Sequence, residues 1–107
     1  MAKPGEAKLR PIIAPDLAEQ LEGFGIQGRA KRAIEDAMQD PDLAGRQLVR
    51  GLYPYRRLKV GRYRIIYRVV PEEQQVRFVY CGIRKEGSKK DVYVQFAKEL
   101  TRGLEGA

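Results

Sequence analysis

The chain has 107 residues, 43% of them hydrophobic, and 21 Lys and Arg against 14 Asp and Glu give it a net charge of +7. That length forms one domain with a modest core and little room for a deep cavity, and no stretch approaches the roughly 20 apolar residues of a membrane span. A single cysteine, Cys81, and the lack of histidine exclude an intrachain disulfide, a His-based acid–base pair and a zinc site of the usual donors.

Residues 1–8 are polar and rich in Lys, Ala and Gly. They read as a flexible N-terminal tail without the apolar core of a signal peptide, so a cytoplasmic protein is expected. Residues 9–107 then form the single domain. Residues 9–13 suit a short strand, and Pro11 suits a sheet edge or a strand start better than a central strand because proline donates no ladder hydrogen bond. Pro15 and Asp16 open a helix with Leu17, Ala18, Leu21 and Phe24 on one side, and Gly23, Gly25 and Gly28 are expected to break it. A second helix carries Ala30, Ala33, Ile34, Ala37 and Met38 at helical spacing, and Pro41 ends it. The two read as a helical hairpin.

The character changes after Gly51. Residues 55–60, 63–70 and 76–83 are rich in Val, Ile, Tyr and Phe, and the separators Gly61-Arg62 and 71–75 make them a three-stranded antiparallel meander. A charged loop over 85–91 leads to Val92-Tyr93-Val94. A short C-terminal helix then carries Phe96, Ala97, Leu100 and Leu104. The expected class is α+β: N-terminal strand, helical hairpin, meander, short helix.

The Gly61-Arg62 turn fixes a register. With Gly first, a type II′ turn sets Val60 against Tyr63, Lys59 against Arg64, Leu58 against Ile65 and Arg57 against Ile66. Leu58, Val60, Tyr63, Ile65, Tyr67 and Val69 then share an apolar face that covers the helices, and the other face shows Arg57, Lys59, Arg64 and Arg68. Like charges directly across a ladder destabilise it. From Arg50 to Arg68 there are seven basic residues and no acidic one. A face of one sign fits phosphate binding; the alternative is plain solvation of a polar outer face. Arg84 joins this face if the link over 71–75 counts five residues. Tyr93 can return to it as a stacking platform for an RNA base, or serve as a core or hinge aromatic. Cys81 reads as a buried structural thiol.

The run Tyr55-Arg56-Arg57-Leu58-Lys59-Val60-Gly61-Arg62-Tyr63-Arg64-Ile65-Ile66-Tyr67-Arg68-Val69, followed by Val79-Tyr80-Cys81-Gly82-Ile83-Arg84 and by Val92-Tyr93, resembles the RelE/ParE superfamily of bacterial toxins. The resemblance extends over most of the chain from about Ile13. It implies the toxin of a type II toxin–antitoxin system, acting as a ribosome-dependent mRNA endoribonuclease (an mRNA interferase) or, on the same fold, as a non-enzymatic inhibitor of DNA gyrase. A purely RNA-binding relative is the third alternative.

In the ribonuclease branch the resemblance assigns catalytic positions to Arg57, Lys59, Arg64, Arg84 and Tyr93. The first is lysine in the best-known members, and arginine holds its proton too tightly to be a base. Lys59 therefore becomes the base for attack of an RNA 2′-hydroxyl on the adjacent phosphorus, a reaction that requires no metal or other cofactor. Arg57 and Arg64 stabilise the phosphorane, Arg84 assists the leaving oxygen and Tyr93 orients a base. Arg56, Arg62 and Arg68 complete the expected RNA contacts. The implied partners are ribosome and mRNA, and an antitoxin whose acidic, partly disordered segment forms a toxin–antitoxin hetero-oligomer. The stretch between Arg84 and Tyr93 is longer than in the best-known members.

Overall fold

The computed structural model describes residues 8–106; residues 1–7 of the expected tail lie outside the described residues. Strand β1 (Arg10–Ile13) leads to helices α1 (Pro15–Phe24), α2 (Gln27–Ala37) and α3 (Pro41–Ala44). Strand β2 (Arg46–Gln47) precedes the meander of β3 (Arg56–Val60), β4 (Tyr63–Val70) and β5 (Gln75–Ile83), and α4 (Val92–Gly106) closes the chain. The sheet order is β1-β5-β4-β3-β2, with β1 parallel to β5 and the other pairs antiparallel. Pro11 lies on the edge strand, where its missing donor costs least.

The hairpin register is the one the turn dictates: Val60 pairs with Tyr63, Lys59 with Arg64, Leu58 with Ile65 and Arg57 with Ile66. Gly61 takes φ 60° while Arg62 stays outside the positive-φ region, as a type II′ turn demands. Leu58, Val60, Ile65 and Tyr67 then pack with Phe78 against Leu17, Leu21, Ala30 and Ile34 of α1 and α2. Leu17, Ile65, Tyr67 and Phe78 are fully buried, each contributing roughly 1.5–3 kcal/mol by the usual measure of apolar burial. The Tyr67 hydroxyl is satisfied within this core. It donates to the Pro41 carbonyl at 2.8 Å and accepts the Gly45 N–H at 3.1 Å.

Four expectations are corrected. Gly23 lies inside α1 and Gly28 inside α2, and only Gly25, at φ 69°, terminates a helix. Pro41 does not end α2, which stops at Ala37; it starts α3, where its missing N–H needs no partner. The sheet has five strands because residues 46–47 add one to the outer edge of β3. The last helix is not short: it begins at Val92 and spans 15 residues. The Leu104 side chain lies outside the described residues.

The largest difference concerns the second face of the sheet. Ile66 shares that face with Arg57, Lys59, Arg64 and Arg68, and α4 packs over it. Ile66, Val92 and Phe96 form a second buried cluster, flanked by Leu52, Tyr55, Tyr80 and Leu100. A β-bulge helps to build it. Ile66 pairs with Tyr80 but Tyr67 with Phe78, leaving Val79 as an extra residue. The bulge turns Tyr80 and Gly82 toward α4 while Phe78 faces α1, although the three residues alternate regularly in the sequence.

Candidate functional site

Because α4 covers only part of the second face, a cleft of about 540 Å³ remains beside its first turn. Hairpin residues Arg57, Lys59 and Arg64 line it, joined by Arg84 from beyond β5 and Tyr93 from α4. Arg46 of β2 contributes a further cation, and Leu48, Val49 and Leu52 form an apolar wall. All five residues assigned by the catalytic resemblance therefore meet at one place. Arg46 was missed, because a two-residue strand has no alternation to read.

The cleft concentrates charge of one sign. Lys59 stands directly opposite Arg64, and Arg46 directly opposite Arg57. Among the described residues no acidic one lines the cleft. Arg64 is held by its own turn: Nη1 donates to the carbonyls of Gly61 and Tyr63, both at 3.0 Å. These bonds leave the charge of Arg64 uncompensated.

Arg84 is different. Its N–H donates to the Arg62 carbonyl at 2.8 Å, which ties the end of β5 to the hairpin turn. Its Nη1 donates to Asp91 Oδ1 at 2.7 Å, and its Cζ lies 4.9 Å from the centre of the Tyr93 ring. Asp91 is 3% exposed. It also accepts the N–H of Lys85 at 2.6 Å and, through Oδ2, the N–H of Tyr93 at 3.1 Å. Burial pushes the Asp91 carboxyl up, but the bonds from Arg84, Lys85 and Tyr93 outweigh it and hold it below the usual carboxylate range. The hydrogen bond to Asp91 raises the pKa of Arg84 despite partial burial. Gly82 allows this close docking: a Cβ there would lie 2.9 Å from Val92 Cγ2.

The three further RNA-contact candidates lie elsewhere. Arg56 is on the α1–α2 side of the sheet, and its guanidinium donates to the Gly45 carbonyl. Arg68 shares the face of the cleft but not the cleft itself; its Cζ lies 5.8 Å from the Tyr55 ring. Arg62 is exposed on the turn, 5.6 Å from the Tyr63 ring. Tyr93 combines two environments, being half-buried against the second cluster while lining the cleft. Cys81 pairs with Ile65 on the opposite face and is buried, which pushes its thiol up to about 11. Among the described residues no group of three or more His, Cys, Asp or Glu side chains is placed to hold a metal ion, and no helix is long and apolar enough to cross a membrane.

A family described as "ParE toxin of type II toxin-antitoxin system, parDE" matches residues 13–86, which include helices α1 to α3, the whole meander and Arg84. The chain belongs to this toxin family. Two solved structures share its fold. One is the RelBE2 toxin–antitoxin complex of Mycobacterium tuberculosis, with TM-score 0.61 and 20% identity over 73% of this chain and 100% of that one. The other is the isolated RelE toxin of E. coli, with TM-score 0.59 and 18% identity over 88% of this chain and 99% of that one. The search of curated proteins found no significant match. The chain is thus the toxin component of a type II toxin–antitoxin system, on the fold of the RelE toxins.

Proposed function

We propose that this toxin is a ribosome-dependent mRNA endoribonuclease that cleaves by 2′-hydroxyl attack. The observation that carries the reading is the convergence of Arg46, Arg57, Lys59, Arg64 and Arg84 with Tyr93 around one cleft. Two directly opposed like-charge pairs weaken a sheet, and a phosphodiester placed between them relieves that repulsion. Lys59 accepts the 2′-hydroxyl proton as the oxygen attacks the adjacent phosphorus in line. The bond to the 5′-oxygen breaks and that oxygen takes a proton from water, leaving a 2′,3′-cyclic phosphate and a 5′-hydroxyl, while the Lys59 ammonium returns its proton to solvent. Arg64, Arg57 and Arg46 stabilise the charge on the phosphorane oxygens. Arg84, whose proton is held by Asp91, contributes a fixed donor rather than a proton. Tyr93 stacks on a base beside the scissile phosphate. Arg62 and Arg68 meet the strand outside the cleft; Arg56, on the other side of the sheet, has no such role in this reading.

The cleft, at about 540 Å³, is within the size range of small-molecule pockets and grips only a short piece of a strand. In this reading the ribosome fixes the mRNA and supplies the orientation that the toxin lacks. The antitoxin closes the site by laying an acidic, partly disordered segment over the cations.

The second reading, a gyrase inhibitor on the same fold, is favoured by the ParE family match and by arginine rather than lysine at position 57. The deciding experiment is primer extension on cellular mRNA after induction, beside a supercoiling assay with purified gyrase. Cleavage at discrete sites within translated mRNA, lost in Lys59→Ala and Arg64→Ala, is the expected result. Intact mRNA with inhibited supercoiling and full toxicity in both variants supports the gyrase reading.

A further inference from the structure

Asp91 is the only buried charged side chain among the described residues. A helix cap alone does not call for it. Capping needs one side-chain oxygen near the first free N–H groups, and serine or asparagine supplies it from an exposed position. Asp91 meets that need with Oδ2, on the Tyr93 N–H, while its own carbonyl accepts the Gln95 N–H at 3.0 Å. The other oxygen serves a different purpose. Oδ1 accepts from the Arg84 guanidinium and the Lys85 N–H, at 2.7 and 2.6 Å. One carboxylate thus joins the end of β5, the loop after it and the first turn of α4, and the guanidinium it holds lies over the Tyr93 ring at 4.9 Å. Arginine is a rotamer-rich side chain, and fixing it before substrate arrives removes an entropic cost from the reacting complex.

We propose that Asp91 is a positioning residue of the cleft, whose buried carboxylate locks the Arg84 guanidinium and the Tyr93 ring into one unit and so governs the rate of RNA cleavage rather than RNA affinity. The inference rests on the ribonuclease reading. Asp91 does not line the cleft and acts through Arg84. Arg84 is paired with Asp91 at 2.7 Å and more loosely with the exposed Glu86 at 3.8 Å, so removing Asp91 leaves its charge compensated only by that solvent-exposed pair. RNA affinity therefore holds or rises while the rate falls.

Asp91→Ser separates the two jobs, since serine caps α4 but cannot hold Arg84 and Lys85 together. Cleavage is measured on programmed ribosomes, and affinity with an mRNA carrying a single 2′-deoxy nucleotide at the cleavage position. The expected outcome is a folded variant with kcat reduced by about 10- to 100-fold, the cost typical of a small misplacement, and affinity unchanged or tighter. Adding Arg84→Ala to Asp91→Ser should give no loss beyond that of Arg84→Ala alone. A second measurement needs no activity: the Arg84 15Nε–H signal should be ordered in the wild type and mobile in Asp91→Asn, which also serves if the serine variant fails to fold. An unchanged kcat, multiplying losses in the double variant, reduced affinity at constant rate, or an equally ordered Arg84 without Asp91 would each overturn the proposal. A wild-type chain that leaves mRNA intact sinks the ribonuclease reading instead, and the Arg84 signal then still decides whether Asp91 positions it.

Discussion

Lys59 and Arg64 face each other across the hairpin on the side opposite Leu58 and Ile65, so their removal tests chemistry with little penalty to folding. In the ribonuclease reading, Lys59→Ala should lower mRNA cleavage by about 100- to 10,000-fold as the loss of a general base. Arg64→Ala should lower it by about 100- to 1000-fold as the loss of a charge-stabilising donor. Both act on one transition state, so the double variant should lose less than the product. Denaturation midpoints should hold or rise, because each change relieves a like-charge contact of about 0.2–1 kcal/mol. Cys81 gives a separate test. Burial pushes its thiol from 9.0 to about 11, so the folded state disfavours the thiolate. Its contribution is complete below the unfolded value and is lost as pH rises toward 11, up to about 3 kcal/mol in all. Urea unfolding at pH 8 and pH 10 should show a steeper loss for the wild type than for Cys81→Ala. Equal slopes would mean that the thiol is not buried as described.

At the scale of elements, the β3–β4 hairpin was legible because a two-residue turn with Gly61 permits one register, and alternation then assigns every side chain to a face. The register alone brings Arg57, Lys59 and Arg64 together. It could not place α4. Tyr55, Ile66 and Tyr80 form the apolar patch that receives Phe96, but they are scattered among arginines, and the bulge at Val79 breaks the parity that would have aligned them. The burial of Asp91 was equally hidden, since its three donors come from residues in three different local structures. Strand β2 was illegible in the sequence, yet Tyr67 anchors it from beneath. Tyr67→Phe should cost about 1–3 kcal/mol by leaving the Pro41 carbonyl and the Gly45 N–H unsatisfied. Hydrogen exchange should report faster opening around Gly45 and Arg46 than in β4 and β5. Uniform protection across the sheet would show that the Pro41–Gly45 segment is held by something else.

At the scale of the whole molecule, signs are mixed over α1 and α2 and single among the described residues lining the cleft. The exposed surfaces of α1 and α2 carry Glu19, Glu22, Glu35 and Asp36 beside Arg29, Lys31 and Arg32, whereas the cleft presents Arg46, Arg57, Lys59, Arg64 and Arg84 with no acidic residue among the described ones of its lining, Arg84 being paired behind it with Asp91 and Glu86. The net charge of +7 therefore acts with a direction. In the proposed reading an acidic antitoxin segment would be drawn toward the cleft and meet the cations there, while apolar anchors would set how long it stays. Such steering weakens as the screening length shrinks, from about 10 Å at 0.1 M salt to about 3 Å at 1 M. The association rate of toxin with antitoxin, measured by stopped flow, should accordingly fall by at least about tenfold over that range. The dissociation rate should change far less, because the contacts that control it are short-ranged and partly apolar. Bound antitoxin should also exclude single-stranded RNA, since both require the same cations. An association rate indifferent to salt, or a complex that still binds RNA in the cleft, would place the antitoxin on the helical side and leave the basic face without a part in inhibition.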